Sequence, residues 1–274
     1  MGRICQLVMG PAGSGKSTYC STIITHAQTT KRTIHLVNLD PAADKFEYQP
    51  AVDIRDLISV DDVQEELGYG PNGAMIYCLE YLIQNIDFLE EELGNQEDDY
   101  LLLDLPGQIE LYTAHPIIPS LVSTLHRLDY RVCGVYLLDS TFIDSPPKFF
   151  SGVLSAMSAM VQLEIPHINV LSKVDLLPPQ AKKSLDKYLN PDRELLVGDI
   201  TATTRPKFHA LNEALVQLIE EYNMVSFIPM NIQDEDSIEL VLSCVDNAVQ
   251  YGEDLEPKEP VDEWEQEEDG SEEY

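Results

Sequence analysis

The chain has 274 residues, 44 % of them hydrophobic, and a formal net charge of −31. Its length suits one large α/β domain or two small ones, with enough apolar content for a sizeable core. The charge excludes a direct grip on nucleic-acid phosphates or on an anionic membrane surface, since like charges repel. Five scattered cysteines (Cys5, Cys20, Cys78, Cys133 and Cys244) show no Cys-x-x-Cys spacing. They predict neither a disulfide framework nor a zinc site, and a reducing compartment fits. The N-terminus shows no leader with a cleavage site, and no apolar run reaches the roughly 18 residues of a membrane span. A cytoplasmic protein is expected.

The first predicted element is a buried strand, "ICQLVM" (4–9), followed by "GPAGSGKST" and a helix over about 15–28. Residues Gly10 to Ser17 match G-x-x-x-x-G-K-[ST]. Glycines there let successive backbone N–H groups turn inward around an anion, and the helix N-terminus adds its partial positive charge. Gly13, Ser14, Gly15, Lys16, Ser17 and Thr18 are the candidate phosphate-binding residues, with Lys16 reaching the outer phosphates and Ser17 ligating Mg²⁺. A second strand, "TIHLVNL" (33–39), ends at Asp40. That carboxylate is a candidate for the Mg²⁺ shell or the attacking water; the alternative is a helix cap, as Asp-Pro-Ala-Ala also starts helices well.

Helical patterns follow over 60–67 and 73–93, separated by the turn "LGYGPNGAM". Met75, Leu79, Leu82, Ile86 and Leu89 form the second helix's apolar stripe. The strand "YLLLDL" (100–105) then brings Asp104, a candidate metal ligand, and the run Asp104-Leu-Pro-Gly107-Gln108. This is the Asp-x-x-Gly spacing of a GTPase switch: Gly107 offers a backbone N–H to a γ-phosphate and Gln108 orients a water. Glu110, two residues on, is a further candidate for fixing that water, or else a solvated helix acid. After a helix over 115–127 and the strand "VCGVYLLD" (132–139), the helix over 147–163 is rich in small residues, suiting internal packing or an interface. The strand "HINVLS" (167–172) leads into Ser172-Lys173-Val174-Asp175. Asp175 is placed to accept from guanine N1–H and the exocyclic amine, a donor pair adenine lacks, and the Lys173 stem can lie along the base. Ser172 stands where Asn is usual. A third base contact is assigned to Thr201 and Ala202 in "GDITATTRP". Helices over 179–189, 206–223 and 235–251, with "VSFIPM" (225–230) as a sixth strand, complete the pattern.

Strand and helix in alternation predict an α/β fold: a P-loop NTPase with a mostly parallel sheet and helices on both faces, three layers deep. One domain is expected over 1–252, with an insertion around 45–95. Residues 253–274 carry twelve acids against Lys258, −11 of the net charge, and are expected to be a disordered acidic tail, either solubilising or docking a basic partner. A nucleotide kinase would need an arginine-rich lid, and only Arg193 and Arg205 lie between Asp175 and the tail.

The set "GPAGSGKST", "NLDPAA", "DIRDLI", "GPN" (Gly70, Pro71, Asn72), "DLPGQIE" and "SKVD" resembles a GPN-loop GTPase in order and spacing, and within that family the third eukaryotic branch. The resemblance implies binding of GTP and GDP with Mg²⁺, hydrolysis in a dimer, and a Gly-Pro-Asn loop that reaches the partner's nucleotide, so that Gly70, Pro71 and Asn72 act catalytically in trans. It implies a heterodimer with the family's first paralogue, a homodimer being the alternative. It further implies contact with RNA polymerase II subunits, a role in assembly and nuclear import of that polymerase, and shuttling to the nucleus. A GTP-held scaffold without turnover is the competing reading.

Overall fold

The computed structural model describes residues 2–43, 48–94, 100–179, 182, 185, 188–189, 204–221 and 225–252. The strands are β1 (Arg3–Met9), β2 (His35–Asn38), β3 (Val52–Asp53), β4 (Tyr100–Asp104), β5 (Tyr130–Asp139), β6 (His167–Ser172) and β7 (Phe227–Pro229). They form one parallel sheet in the order β3-β2-β4-β1-β5-β6-β7. Its central strands are apolar on both faces, as a sheet covered by helices on each side requires. Along β1, Cys5, Leu7 and Met9 enter one core cluster while Ile4 and Val8 enter the other. The first cluster lies under α3 (Pro71–Gln84), α4 (Ile86–Leu93), α5 (Glu110–Thr113), α6 (Ile117–Arg127) and α7 (Pro146–Leu163). The second lies under α1 (Lys16–Thr29) and the last described helix, Glu235–Ala248. The three-layer expectation therefore holds.

The strands predicted from apolar runs all appear, with ends shifted by a few residues. The two-residue β3 is an addition; it pairs at the sheet edge with β2, too short to leave a period in the sequence. The single helix expected over 73–93 is two helices. Asn85 breaks it: φ −115 and ψ 46 lie outside the helical region, and its side-chain Nδ2 donates to the Tyr81 carbonyl at 2.8 Å. An asparagine amide competing for a helix carbonyl is the physical cause. Both pieces still bury Leu79, Leu82 and Leu89 in the main core, so the insertion packs as part of the domain. Helix α2 (Val60–Leu67) starts at a Ser59 cap and stops at Gly68 with φ 69. Pro71 occupies the first turn of α3 after Gly70, a position where its missing N–H is not needed. The expected helix over 179–189 and the acidic tail over 253–274 lie largely or wholly outside the described residues. Helix α8 (His209–Glu221) and α9 (Glu235–Ala248) close the chain as expected. All five cysteines are free. Among the described residues no helix is long and apolar enough to cross a membrane.

One histidine has its ring nitrogens buried without compensation among the described residues. His167, at the start of β6, stacks on Tyr136 with ring centroids 6.2 Å apart, and neither ring nitrogen has a hydrogen-bond partner among the described residues. Burial lowers its pKa from 6.5 to about 4. The folded state thus favours the neutral ring. Its contribution is complete above pH 6.5 and is lost as pH falls toward 4, on the order of 3 kcal/mol in all. His167→Gln is expected to flatten the fall in unfolding free energy between pH 7 and 4 by about that amount. Urea titrations of both proteins across this range check it; equal slopes would mean the ring is solvated.

Candidate functional site

The carboxyl ends of β1, β2 and β4 converge at one level. The Leu39 N–H donates to the Asp104 carbonyl at 2.9 Å and the Leu105 N–H to Val8 at 3.2 Å, so the ladder extends one residue past the strands before the chains diverge. From β1 the chain enters a glycine loop with φ 137 at Gly10, 77 at Gly13 and 91 at Gly15. Gly10 is obligatory in two ways: its φ is left-handed, and a Cβ would sit 2.2 Å from the Leu137 carbonyl oxygen. Ser14 is 1 % exposed with an unpartnered hydroxyl, while Thr18 is exposed on the first turn of α1.

Lys16 is 8 % exposed, and its ammonium lies 3.4 Å from the Gly10 carbonyl. Burial lowers its pKa, while the carboxylates of Asp104 and Asp40 oppose that. Ser17 Oγ donates to Asp104 Oδ2 at 2.8 Å. Burial pushes Asp104 up to about 6 against the pull of Ser17 and Lys16, and its Oδ1 has no partner among the described residues. A buried carboxylate with one vacant oxygen, beside a hydroxyl and facing a phosphate cradle, fits a hard divalent cation such as Mg²⁺, which takes one or two protein oxygens and completes its shell with water and phosphate. Asp40 stands close enough to act electrostatically on both Lys16 and Asp104. Among the described residues there is no cluster of three or more His, Cys, Asp or Glu that could hold a metal alone.

After β4, Gly107 lies directly on the glycine loop: a Cβ there would meet Ala12 Cα at 2.7 Å and Ala12 N at 2.9 Å. Only glycine allows this approach. Gln108 Nε2 donates to Asn72 Oδ1 at 3.1 Å. Asn72, in the first turn of α3, therefore reaches the switch-like segment of its own chain. Gly70 and Pro71 set that helix start. Glu110 is exposed on the first turn of α5.

At the far end of the loop, the Ser172 hydroxyl donates to the Ser14 carbonyl at 2.6 Å and lies 3.2 Å from the Leu138 carbonyl. It ties the glycine loop to the sheet. Lys173, with φ 60, bonds the Gly13 carbonyl and meets Asp139 Oδ2 at 2.7 Å. Burial would raise Asp139, but Lys173 and the Thr141 N–H outweigh it and hold the carboxyl low. Asp139 was not singled out from the sequence; its only signal is an acid ending an apolar strand. Beside this group opens a cavity of about 210 Å³ lined by Gly15, Thr18, Tyr19, Leu137, Leu176 and Met230. Asp175 is at its wall, with Oδ1 buried and unpartnered among the described residues. A largely apolar cavity with an unpartnered carboxylate oxygen at its wall suits a base carrying adjacent N–H donors. Thr201 and Ala202 lie outside the described residues.

A family model described as a conserved hypothetical ATP binding protein matches residues 8–251. Relatives named GPN-loop GTPase 3 include one from Mycosarcoma maydis, 56 % identical over 96 % of this chain and 97 % of its own. Others are from Schizosaccharomyces pombe, 54 % identical over 95 % and 96 %, and Danio rerio, 54 % identical over 95 % and 92 %. The crystal structure of a GTPase in apo form from Pyrococcus abyssi superposes with a TM-score of 0.74 at 24 % identity, covering 89 % of this chain and 97 % of that one.

Ser172→Ala removes the donor from two buried carbonyls. The unfolding free energy is expected to drop by about 1–3 kcal/mol. Chemical denaturation measures it, and an unchanged midpoint would show that the glycine loop is held by other means.

Proposed function

The chain belongs to the GPN-loop GTPase family, and we propose that it binds GTP with Mg²⁺ and hydrolyses it to GDP and phosphate. The observation that carries this reading is the pair of vacant buried carboxylate oxygens, on Asp104 and Asp175, set at the two ends of one phosphate cradle. The first suits a cation at the outer phosphates; the second suits guanine. Adenine offers no matching donor pair, which favours guanine despite the description carried by the family model.

Ser17, Asp104 and Asp40 would hold the Mg²⁺, which when bound supplies positive charge to the β- and γ-phosphate oxygens. The glycine-loop N–H groups and Lys16 bind the phosphates. The Gly107 N–H follows the γ-phosphate in this reading, which its close approach to Ala12 of the glycine loop supports. Gln108 orients the water. Its Nε2 donates to Asn72 Oδ1, which leaves the Gln108 carbonyl oxygen to accept from that water. Asp40 adds its charge beside Lys16 and Asp104, and Lys173 and Ser172 bond to the glycine loop and hold it seated.

The reading extends to a dimer. Leu67 and Tyr69 are 49 % and 48 % exposed immediately before Gly70, and Ile109 is exposed beside Gln108, an apolar rim around the Gly-Pro-Asn turn. Such a rim supports docking of a family partner, with Asn72 then serving the neighbouring site as well as its own. The finer part rests on the motif resemblance: pairing with the first paralogue, service to RNA polymerase II assembly and nuclear import, and a cytoplasmic protein that enters the nucleus. GTP-dependent co-purification with the paralogue and with polymerase subunits checks that part.

Asp175→Asn is expected to weaken GTP at least about tenfold and to bring xanthosine triphosphate closer to GTP, because the amide presents a donor to the base edge. Calorimetric titration with both nucleotides decides; unchanged affinities would remove Asp175 from the site. Asn72→Ala is expected to slow single-turnover hydrolysis about tenfold with GTP affinity nearly unchanged. Equal rates for variant and parent, at concentrations above and below dimer formation, would leave the Gly-Pro-Asn turn a structural corner and the protein a GTP-held scaffold.

A further inference from the structure

The register of β2 against β3 sets Asn38 opposite Asp53. Asn38 is fully buried, and its amide grips the Asp40 peptide from both sides. Oδ1 accepts the Asp40 N–H at 3.0 Å; Nδ2 donates to the Asp40 carbonyl at 3.2 Å and to Asp53 Oδ1 at 2.8 Å. Asp53 in turn takes the fork of Arg55: Nε lies 3.0 Å from each carboxylate oxygen and Nη2 lies 2.6 Å from Oδ2. The other end of the same guanidinium, Nη1, donates to the Ala43 carbonyl at 2.9 Å. Burial would raise the Asp53 pKa, but the Arg55 and Asn38 bonds outweigh it, so the carboxylate stays ionised. Residues 40–43 are thus held at both ends by side chains that meet on one carboxylate. Within the loop, Asp40 Oδ1 accepts the Ala42 N–H at 3.0 Å, so the direction of the Asp40 carboxylate follows the loop's backbone.

We propose that Asp53 and Arg55 are positioning residues for the reaction, acting through Asn38 and the 40–43 loop to aim Asp40 at the cation and water beside Lys16. This rests on the GTPase reading for its catalytic part. A fork–fork Arg–carboxylate pair fixes orientation as well as distance, which a lysine at 55 does not. Because β3 begins the segment that leads through α2 to Gly70, the same pair joins the seating of the Gly-Pro-Asn arm to the seating of Asp40.

The competing possibility is that Asp53 only caps the short turn after it, since its Oδ1 also accepts the Arg55 N–H at 3.0 Å. Arg55→Ala in the full chain separates the two, because Asp53 keeps that cap and its bond to Asn38. In the nucleotide-free protein, hydrogen exchange at residues 40–43 is expected to rise about tenfold, with β1 and β4 unchanged. GTP turnover is expected to fall about tenfold with KM within about threefold, and Arg55→Lys to recover only part of it. In an Asp40→Asn background, Arg55→Ala is expected to change turnover less than about twofold, since the route through Asp40 is already cut. Unchanged exchange at 40–43, or an equal loss of turnover with Asp40 and with Asn at 40, overturns the proposal. Should the parent protein show no turnover, that counts against the GTPase reading, and the exchange measurement alone decides the clamp.

Discussion

A carboxylate buried at the centre of the sheet edge governs the rest of this structure. Asp104 is 2 % exposed at the end of β4, and the Ser17 hydroxyl reaches it from the first turn of α1. Their meeting is a consequence of register: β1 and β4 pair with Val8 opposite Asp104, and the glycine loop carries the chain from β1 back over that position. Leaving such a group charged and incompletely partnered costs several kcal/mol in a low-dielectric interior. Ser17 and the Lys16 ammonium offset part of that, and a cation at the vacant oxygen would offset the remainder. Gly107 lies on Ala12 with no room for a methyl, so the segment bearing Gln108 registers any movement of the loop.

The second face of the sheet supports the cavity beside Asp175 through a buried polar chain. Tyr19, in the cavity wall, donates to Gln6 Oε1 at 2.9 Å; Gln6 donates to the Tyr100 hydroxyl at 2.6 Å; Tyr100 meets Asp246 at 3.2 Å. Asp246 pairs bidentately with Arg32 at 2.6 and 2.8 Å, and the guanidinium lies between the rings of Tyr100 and Tyr251. A glutamine in the middle strand of a parallel sheet would be a serious cost without these partners. With them satisfied, these bonds lock α1 and α9 to the sheet and hold the Tyr19 side chain in one orientation in the cavity wall.

The Gly-Pro-Asn turn is both a helix start and a reach. Proline at the first position of α3 stiffens the entry, and the stripe of Leu79, Leu82 and Leu89 anchors the inserted helices in the main core. Asn72 is consequently held at a defined place, where it meets Gln108 of its own chain. The Asn72–Gln108 pair is thus complete within one chain.

Much of this was legible in the order of residues alone. The strand–helix alternation is a periodic pattern and the sheet it predicts is present; the glycine loop, the Asp-x-x-Gly turn and Ser-Lys-Val-Asp are local patterns whose chemistry depends on spacing within a few residues, and they fall at the carboxyl ends of β1, β4 and β6. What failed or went unseen depended on contacts between distant segments. Asn85 splits a helix whose apolar period runs straight through it, because the side chain's choice of carbonyl is not a property of the period. The edge strand β3 exists only by pairing with β2. Ser172 read as a shortened base contact, yet its hydroxyl is held by Ser14 and Leu138, and Asp139 drew no notice until Lys173 was beside it. The trio of Asn38, Asp53 and Arg55 is likewise a product of strand register. Sequence determined which groups could do chemistry on a phosphate; the tertiary structure decided which of them share a hydrogen bond, because that depends on ångström-scale distances between chain segments that only packing brings together.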